Sequence, residues 1–212
     1  MKLYVYDHCP FCTRARMVFG LKGMPLELQI VLEDDVDTLT KLVGKKTTPI
    51  LRKEDGSHMP ESMAIVHHID QHHGTPVALA VPENSPIRLW HETVWRPILE
   101  LAIPRFGQSD LEEFSTPEAR EAFRARQTKS FGKFDTLLGR TDELLETVEN
   151  QLQALDLILA ERDQIDADDF TLYPTLRMLS IVKNVRYPVH VKQYMQRMAK
   201  ATGVPLHLDQ AM

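Results

Sequence analysis

The sequence of 212 residues predicts a small α/β domain followed by an all-helical domain. Three observations support this division. Strand-like and helix-like segments alternate over residues 1–75, prolines interrupt the pattern up to Pro86, and only helical periodicity follows. We therefore expect a first domain at 1–75, a linker at 76–84 and a helical domain at 85–212.

The first domain has the predicted order strand, helix, strand, helix, strand, strand, helix. Strands are predicted where Val, Ile, Leu and Tyr cluster, and helices where apolar residues recur every three or four positions. The predicted strands are 2–6, 26–32, 49–51 and 58–59, and the helices between and after them end at Gly23, Gly44 and Gly74. This βαβαββα order is the one expected of a thioredoxin-like domain.

The second half contains helix candidates separated by proline, glycine and capping residues, and no convincing strand. The first candidate is expected to kink at Pro97, because proline interrupts a helix interior. The predicted helices are 87–103, 117–138, 142–161, 167–182 and 188–201.

Composition limits the classes of function. The net charge of -5 argues against nucleic acid as a partner, because phosphate binding depends on a basic surface. No secretory signal and no apolar run of about 18 residues is present, so no membrane partner is expected. The only two cysteines form one C-x-x-C, which indicates a reactive dithiol in a reducing compartment and hence a cytoplasmic location.

The C-x-x-C, Cys9-Pro10-Phe11-Cys12, lies between a predicted strand and a predicted helix. Cys9 should therefore sit at a helix N-terminus, where the helix dipole and free N–H groups favour a thiolate. Cys12 lies one turn further on and is suited to attack a mixed disulfide formed by Cys9. We expect Cys9 to be the nucleophile and Cys12 the resolving thiol of a redox-active disulfide.

The two cysteines could instead be ligands of a structural metal ion rather than a redox-active dithiol. Zinc usually takes four Cys or His ligands, and without a second cysteine pair the remaining ligands would have to be histidines. Four histidines do cluster on one predicted helix: His67, His68, His72 and His73. Their spacing matches no known metal motif, and an iron-sulfur site shared between two subunits is a second alternative. We expect no metal.

Three motifs support a resemblance to a known family. Cys9-Pro10-Phe11-Cys12 resembles the C-P-Y/F-C of dithiol glutaredoxins, Thr47-Thr48-Pro49-Ile50 resembles their T-V-P loop, and Glu61-Ser62 resembles the E-S pair of glutathione transferases. With the segment from Glu112 to Arg120, the chain resembles the bacterial glutaredoxin 2 type over essentially its full length.

The resemblance implies a glutathione-transferase-like architecture and a glutaredoxin activity that reduces protein-glutathione mixed disulfides and protein disulfides. Glutathione would be the reducing co-substrate, with no tightly bound cofactor, and the protein is expected to be a monomer. The implied glutathione-binding residues are Phe11 beside the sulfur, the backbone of Thr48, a cis Pro49, Glu61 at the γ-glutamyl ammonium, and Ser62 at the γ-glutamyl carboxylate.

Other residues are looser candidates for the same ligand. Arg16, Lys22 and Lys45 are candidate partners of the glycyl carboxylate, and the region of Trp90 and Trp95 is a candidate wall over the dithiol.

Two other functions share this architecture. One is conjugation of glutathione to an electrophile, which needs Cys9 to leave bound glutathione free. The other is membrane insertion, as in proteins similar to chloride intracellular channels, which begin with C-P-F-S where this chain has a second cysteine.

Overall fold

A four-stranded mixed sheet forms the centre of the first domain in the computed structural model, which describes all 212 residues. The strand order is β2-β1-β3-β4; β1 pairs in parallel with β2, whereas β3 pairs antiparallel with both β1 and β4. The strands are β1 Lys2–Val5, β2 Glu27–Ile30, β3 Ile50–Arg52 and β4 His58–Pro60.

Three helices complete the first domain, and six make up the second. The order βαβαββα is confirmed, and the second domain contains no strand. The helices of the first domain are α1 Pro10–Leu21, α2 Val36–Val43 and α3 Ser62–His72. Those of the second are α4 Pro86–Phe106, α5 Pro117–Phe131, α6 Phe134–Gly139, α7 Thr141–Leu159, α8 Asp169–Leu179 and α9 Val189–Thr202, with short 3₁₀ turns at Glu112–Phe114 and Leu208–Gln210.

Three helix predictions were wrong in their bounds; one of them, the helix expected at 167–182, is α8 and spans only Asp169–Leu179. The single helix expected at 117–138 is divided into α5 and α6, because Gly132 has φ 84°, a left-handed conformation that ends α5. The helix expected to end at 103 extends to Phe106 and contains both Pro97 and Pro104. None of the helices is long and apolar enough to cross a membrane.

The two domains share one hydrophobic core. Buried residues of α1, such as Val18 and Phe19, belong to the same apolar cluster as Leu176 of α8 and Met198 of α9. At Gly20, a Cβ atom would lie 1.8 Å from the carbonyl oxygen of Thr202, so α1 can approach the end of α9 this closely only with glycine. The second domain is thus fixed against the helix that begins at the dithiol.

Arg177 of α8 is a buried polar link between the domains. Its guanidinium donates to the Asp7 carboxylate at 2.9 Å, to the Thr13 hydroxyl at 3.2 Å and to the carbonyl of Pro205 at 2.6 Å. Burial alone would raise the pKa of Asp7, but Arg177 and Arg16 outweigh it and lower that pKa to about 2. The segment before Cys9 is therefore held by a charged contact from the helical domain.

Candidate active site

The two cysteines lie at the junction of β1 and α1. Cys9 is the N-cap of α1, and its Sγ accepts a hydrogen bond from the backbone N–H of Cys12 at 3.4 Å. Pro10 fills the first helical position, where a backbone N–H would have no helical partner. Both thiols are free; Cys9 is 9% exposed and Cys12 is 0% exposed. Cys12 therefore lies behind Cys9 as seen from solvent.

The two thiols differ in acidity. The pKa of Cys9 is lowered to about 7, chiefly by a hydrogen bond from the Cys12 thiol; burial opposes the shift, and the His8 charge and backbone N–H groups add to it. The pKa of Cys12 is raised well above its ordinary value by burial and by its bond to Cys9. Because the thiolate is the reactive form of cysteine, this arrangement activates Cys9 and keeps Cys12 protonated.

A cavity of about 450 Å³ opens over Cys9, between the two domains. The first domain contributes the dithiol segment and the loop before β3. The second contributes an apolar wall made by Trp95, Leu99, Ile103, Phe106, Phe123 and Phe131. Trp95 thus lies where the sequence suggested a wall. Trp90 does not, since it is buried in the core and donates its indole N–H to the carbonyl of Gln151 at 2.8 Å.

The structure places two of the predicted glutathione-binding residues in this cavity. Phe11, 44% exposed, lines the cavity together with Thr48, and the Thr48-Pro49 peptide bond is cis. Pro49 is buried and does not line the cavity. Glu61 and Ser62 lie outside it, at the start of α3.

The start of α3 has an unusual backbone. Glu61, the N-cap residue, has φ 73°, which is rare for any residue but glycine, and its side chain makes no capping hydrogen bond. Ser62, the first residue of the helix, is buried. The first backbone N–H groups of α3 therefore have no side-chain cap, the arrangement that suits a bound anion.

The cations of the cavity are not those suggested by the sequence. Arg16 forms an ion pair with Asp7, and Lys22 forms one with Asp70 at 2.6 Å, so both are engaged elsewhere. Lys45 is exposed, 3.3 Å from Glu61. The cavity is instead lined by Lys46 and Arg126.

A buried carboxylate, Glu33, holds these two cations. Arg126 of α5 contacts both Glu33 oxygens, at 2.5 and 2.7 Å, and Lys46 lies 3.5 Å from the same carboxylate. The Glu33 side chain is 0% exposed. This bidentate pair joins the loop before α2 to the second domain across the rim of the cavity.

A second buried carboxylate, Glu113, contacts the residue before Cys9. One oxygen of Glu113 accepts the backbone N–H of His8 at 2.8 Å and lies 2.9 Å from its Nδ1. No local sequence pattern marks Glu33, Glu113 or Arg126 as site residues, because their contacts join parts of the chain about a hundred residues apart.

The histidines considered as metal ligands lie on α3 and at the residue that follows it, His73, and none of them lines the cavity over Cys9. The rings of His68 and His72 have centroids 4.6 Å apart, and Nδ1 of His72 lies 2.7 Å from the carbonyl of His68. No group of three or more His, Cys, Asp or Glu side chains is arranged to hold a metal ion.

Two family models match this chain. Residues 3–77 match the family described as "Glutathione S-transferase, N-terminal domain", and residues 86–211 match "Glutaredoxin 2, C terminal domain". Glutaredoxin 2 of Escherichia coli strain K12 is 43% identical over 211 residues, which cover 97% of each chain.

Solved structures extend the similarity to three dimensions. Glutaredoxin 2 from Salmonella typhimurium, in complex with glutathione, is 40% identical and has a TM-score of 0.95 over 100% of this chain and 98% of that one. The glutathione S-transferase CsGST63524 of Ceriporiopsis subvermispora, also in complex with glutathione, is 18% identical with a TM-score of 0.66 over 96% and 95% of the two chains. The second likeness concerns the fold alone, and the architecture is that of glutathione transferases.

Proposed function

Since this chain belongs to the glutaredoxin 2 family and is a glutathione-dependent thiol-disulfide oxidoreductase, we propose that Cys9 is its nucleophile and Cys12 its resolving thiol. The observation that carries this assignment is the position of Cys9: it caps α1 at the floor of the cavity, with a pKa lowered to about 7. Cys12 is buried behind it, so an incoming disulfide meets only the Cys9 sulfur.

In the first step, the Cys9 thiolate attacks the glutathione sulfur of a mixed disulfide. A new Cys9-glutathione disulfide forms, the substrate's sulfur-sulfur bond breaks, and the released substrate thiolate takes a proton from solvent. A second glutathione then attacks this disulfide as its thiolate, which yields oxidised glutathione and restores the Cys9 thiolate. This route uses one cysteine of the protein.

The second cysteine serves protein disulfides. Cys9 attacks one sulfur of the substrate, and the Cys12 sulfur, after losing its proton, attacks Cys9 and expels the substrate as a thiol. The negative charge of the Cys9 thiolate is one cause of the raised Cys12 pKa. Once Cys9 is in a mixed disulfide this charge is gone, so Cys12 loses its proton more easily. Two molecules of glutathione then reduce the Cys9-Cys12 disulfide.

Glutathione is proposed to bind with its cysteinyl part in the cavity and its γ-glutamyl part at the start of α3. Phe11 and the backbone of Thr48 would flank the cysteinyl part, with Pro49 fixing the loop. The uncapped N-terminus of α3 at Ser62 would bind the γ-glutamyl carboxylate, and the exposed Glu61 carboxylate its ammonium. Support comes from the φ of 73° at Glu61, because such backbone conformations in non-glycine residues concentrate at ligand sites.

The setting of the reaction is also part of the proposal. The dithiol would reside in a domain spanning 1–75, with a linker at 76–84 and the helical domain at 85–212. Substrates would be glutathionylated or disulfide-containing proteins, reduced by a monomeric enzyme in the cytoplasm. The solitary C-x-x-C supports that location, because a redox dithiol needs a pool of reduced glutathione.

The direct test of the assignment is to trap the intermediate. The Cys12→Ser variant, incubated with oxidised glutathione, should accumulate one mixed disulfide at Cys9, identified by peptide mass spectrometry. The Cys9→Ser variant, which retains the buried Cys12, serves as the matched control and should remain unmodified. Glutathionylation of Cys12 instead would overturn the assigned roles.

A further inference from the structure

His8 lies among aromatic rings that leave it little contact with water. Its imidazole stacks on Tyr6 with centroids 5.7 Å apart, and lies 5.1 Å from the rings of both Phe114 and Phe123 and 5.5 Å from that of Phe106. The side chain is 11% exposed. Because water contributes so little here, the charge on His8 is governed by the protein groups that contact it.

Glu113 is the group in closest contact. Its Oε1 accepts the backbone N–H of His8 and faces Nδ1 at 2.9 Å, while its Oε2 has no hydrogen-bond partner and the side chain is 0% exposed. An ionised carboxylate buried with neutral partners alone is costly, so a charged Glu113 would require a cation. The group in contact with it that can carry a positive charge is the imidazole of His8.

The surrounding charges favour the same state. The buried carboxylate Glu33 contacts two permanent cations, Arg126 and Lys46, and its Oε1 lies 3.6 Å from Nε2 of His8, on the side of the ring opposite Glu113. Protonated His8 adds a third positive charge, and the Cys9 thiolate next to it then makes the cluster neutral. With neutral His8, the same thiolate would leave one uncompensated negative charge in a poorly hydrated site.

We propose that Glu113 is a positioning residue of the redox centre: through this carboxylate the helical domain holds His8 as a cation beside the Cys9 sulfur. The inference rests on the proposed role of Cys9 as nucleophile. It gives the helical domain a part in the chemistry, because Glu113 belongs to the 3₁₀ turn before α5. His8 acts through its charge, and Glu113 acts through His8.

The directions of the pKa shifts of His8 and Cys9 agree with this role of Glu113. Burial opposes protonation of His8, but the hydrogen bond and charge of Glu113 outweigh it, so the pKa of His8 is raised. The His8 charge in turn lowers the pKa of Cys9. The titratable and charged groups around His8 are Tyr6, Cys9, Glu33, Glu113, Arg126 and His207.

The experiment compares two neighbouring substitutions. Glu113→Gln keeps an oxygen for the backbone N–H of His8 but removes the charge, and Glu112→Gln changes an exposed carboxylate of the same turn. Both are made in the Cys12→Ser background, in which Cys9 is the only thiol. The pH dependence of the iodoacetamide reaction reports the pKa of Cys9, and ¹⁵N NMR of the imidazole reports the charge on His8.

For Glu113→Gln we expect the pKa of Cys9 to rise by about one unit, which slows alkylation about tenfold at pH 6. His8 should be an imidazolium at pH 7 in the parent and neutral in the variant, and Glu112→Gln should match the parent. An unchanged Cys9 pKa in folded Glu113→Gln, or a neutral His8 in the parent at pH 7, would overturn the proposal.

Circular dichroism and turnover measurements distinguish these outcomes from misfolding of the variant and from failure of the proposed function. If Glu113→Gln does not fold, as judged by circular dichroism, the charge on His8 in the parent protein decides the matter alone. Failure of the proposed function would appear differently, as turnover that survives Cys9→Ser. If only this inference fails, turnover still depends on Cys9, and the pH profile of alkylation is the same in Glu113→Gln as in its parent.

Discussion

The Cys12→Ala and Cys12→Ser variants differ by one hydrogen-bond donor beside the Cys9 sulfur, and we expect that donor to control the acidity of Cys9. The Cys12 thiol makes the largest contribution to the lowered Cys9 pKa. Serine retains an O–H donor at this position, whereas alanine has none. The backbone N–H of Cys12, 3.4 Å from the Cys9 sulfur, is present in both variants.

The size of the effect follows from the strength of the bond. A hydrogen bond to a charged acceptor contributes about 1.5–3 kcal/mol, and a thiol is a weak donor, so we take the lower end, which is about one pKa unit. The Cys9 pKa of about 7 should become about 8 in Cys12→Ala. At pH 7 the thiolate fraction then falls from about one half to about one tenth.

The assay is the rate of reaction with iodoacetamide as a function of pH. Each variant contains a single thiol, so the midpoint of the profile is the Cys9 pKa. Thiolate absorbance in the far ultraviolet provides an independent titration of the same group. Equal midpoints for alanine and serine would refute the reasoning, because the donor would then contribute nothing.

Three further predictions concern the interface and the ligand. Arg177→Met should lower the free energy of unfolding by about 1.5–3 kcal/mol, because it removes the buried guanidinium that contacts Asp7 and leaves Arg16 as the remaining partner of that carboxylate. The pKa of Asp7 is lowered to about 2, so the part of this stability loss that depends on the Asp7 charge should be present above pH ~4 and disappear as the pH falls towards 2. Urea unfolding of the parent and the variant at pH 7 and at pH 3 measures this difference. Gly20→Ala should cost at least about 1–3 kcal/mol in thermal unfolding, because the new Cβ meets the Thr202 carbonyl, and a variant as stable as the parent would contradict that contact. Ser62→Ala should raise the KM for glutathione about tenfold with little change in kcat, measured in the coupled turnover assay, and an unchanged KM would remove Ser62 from the site.

Local features of the fold could be predicted from the sequence. Alternating apolar residues and glycine stops located every strand and helix of the first domain, because these signals lie within a few residues of one another. The break between α5 and α6 was missed because Gly132 resembles an ordinary residue within a helical pattern. Its φ of 84° is a left-handed conformation that glycine permits but that the sequence does not by itself require.

The same distinction applies to the site. Cys9, Phe11 and Thr48 were predicted as site residues because each belongs to a short motif whose spacing has a physical reason, and all three line the cavity. Glu113 and Arg126 were missed because their partners lie 105 and 93 residues away, and only the docking of the helical domain brings them together. Motifs therefore indicated the groups that we propose to react, while the structure was needed to find the charges around them.

The central claim is that this protein catalyses glutathione-dependent disulfide reduction through Cys9. Its most direct test is the reduction of a glutathione mixed disulfide of a small thiol, coupled to glutathione reductase and NADPH, with the parent protein, Cys9→Ser and Cys12→Ser. We predict turnover that is lost in Cys9→Ser and retained in Cys12→Ser. Turnover that survives in Cys9→Ser, or that is absent from the parent protein, would contradict the account.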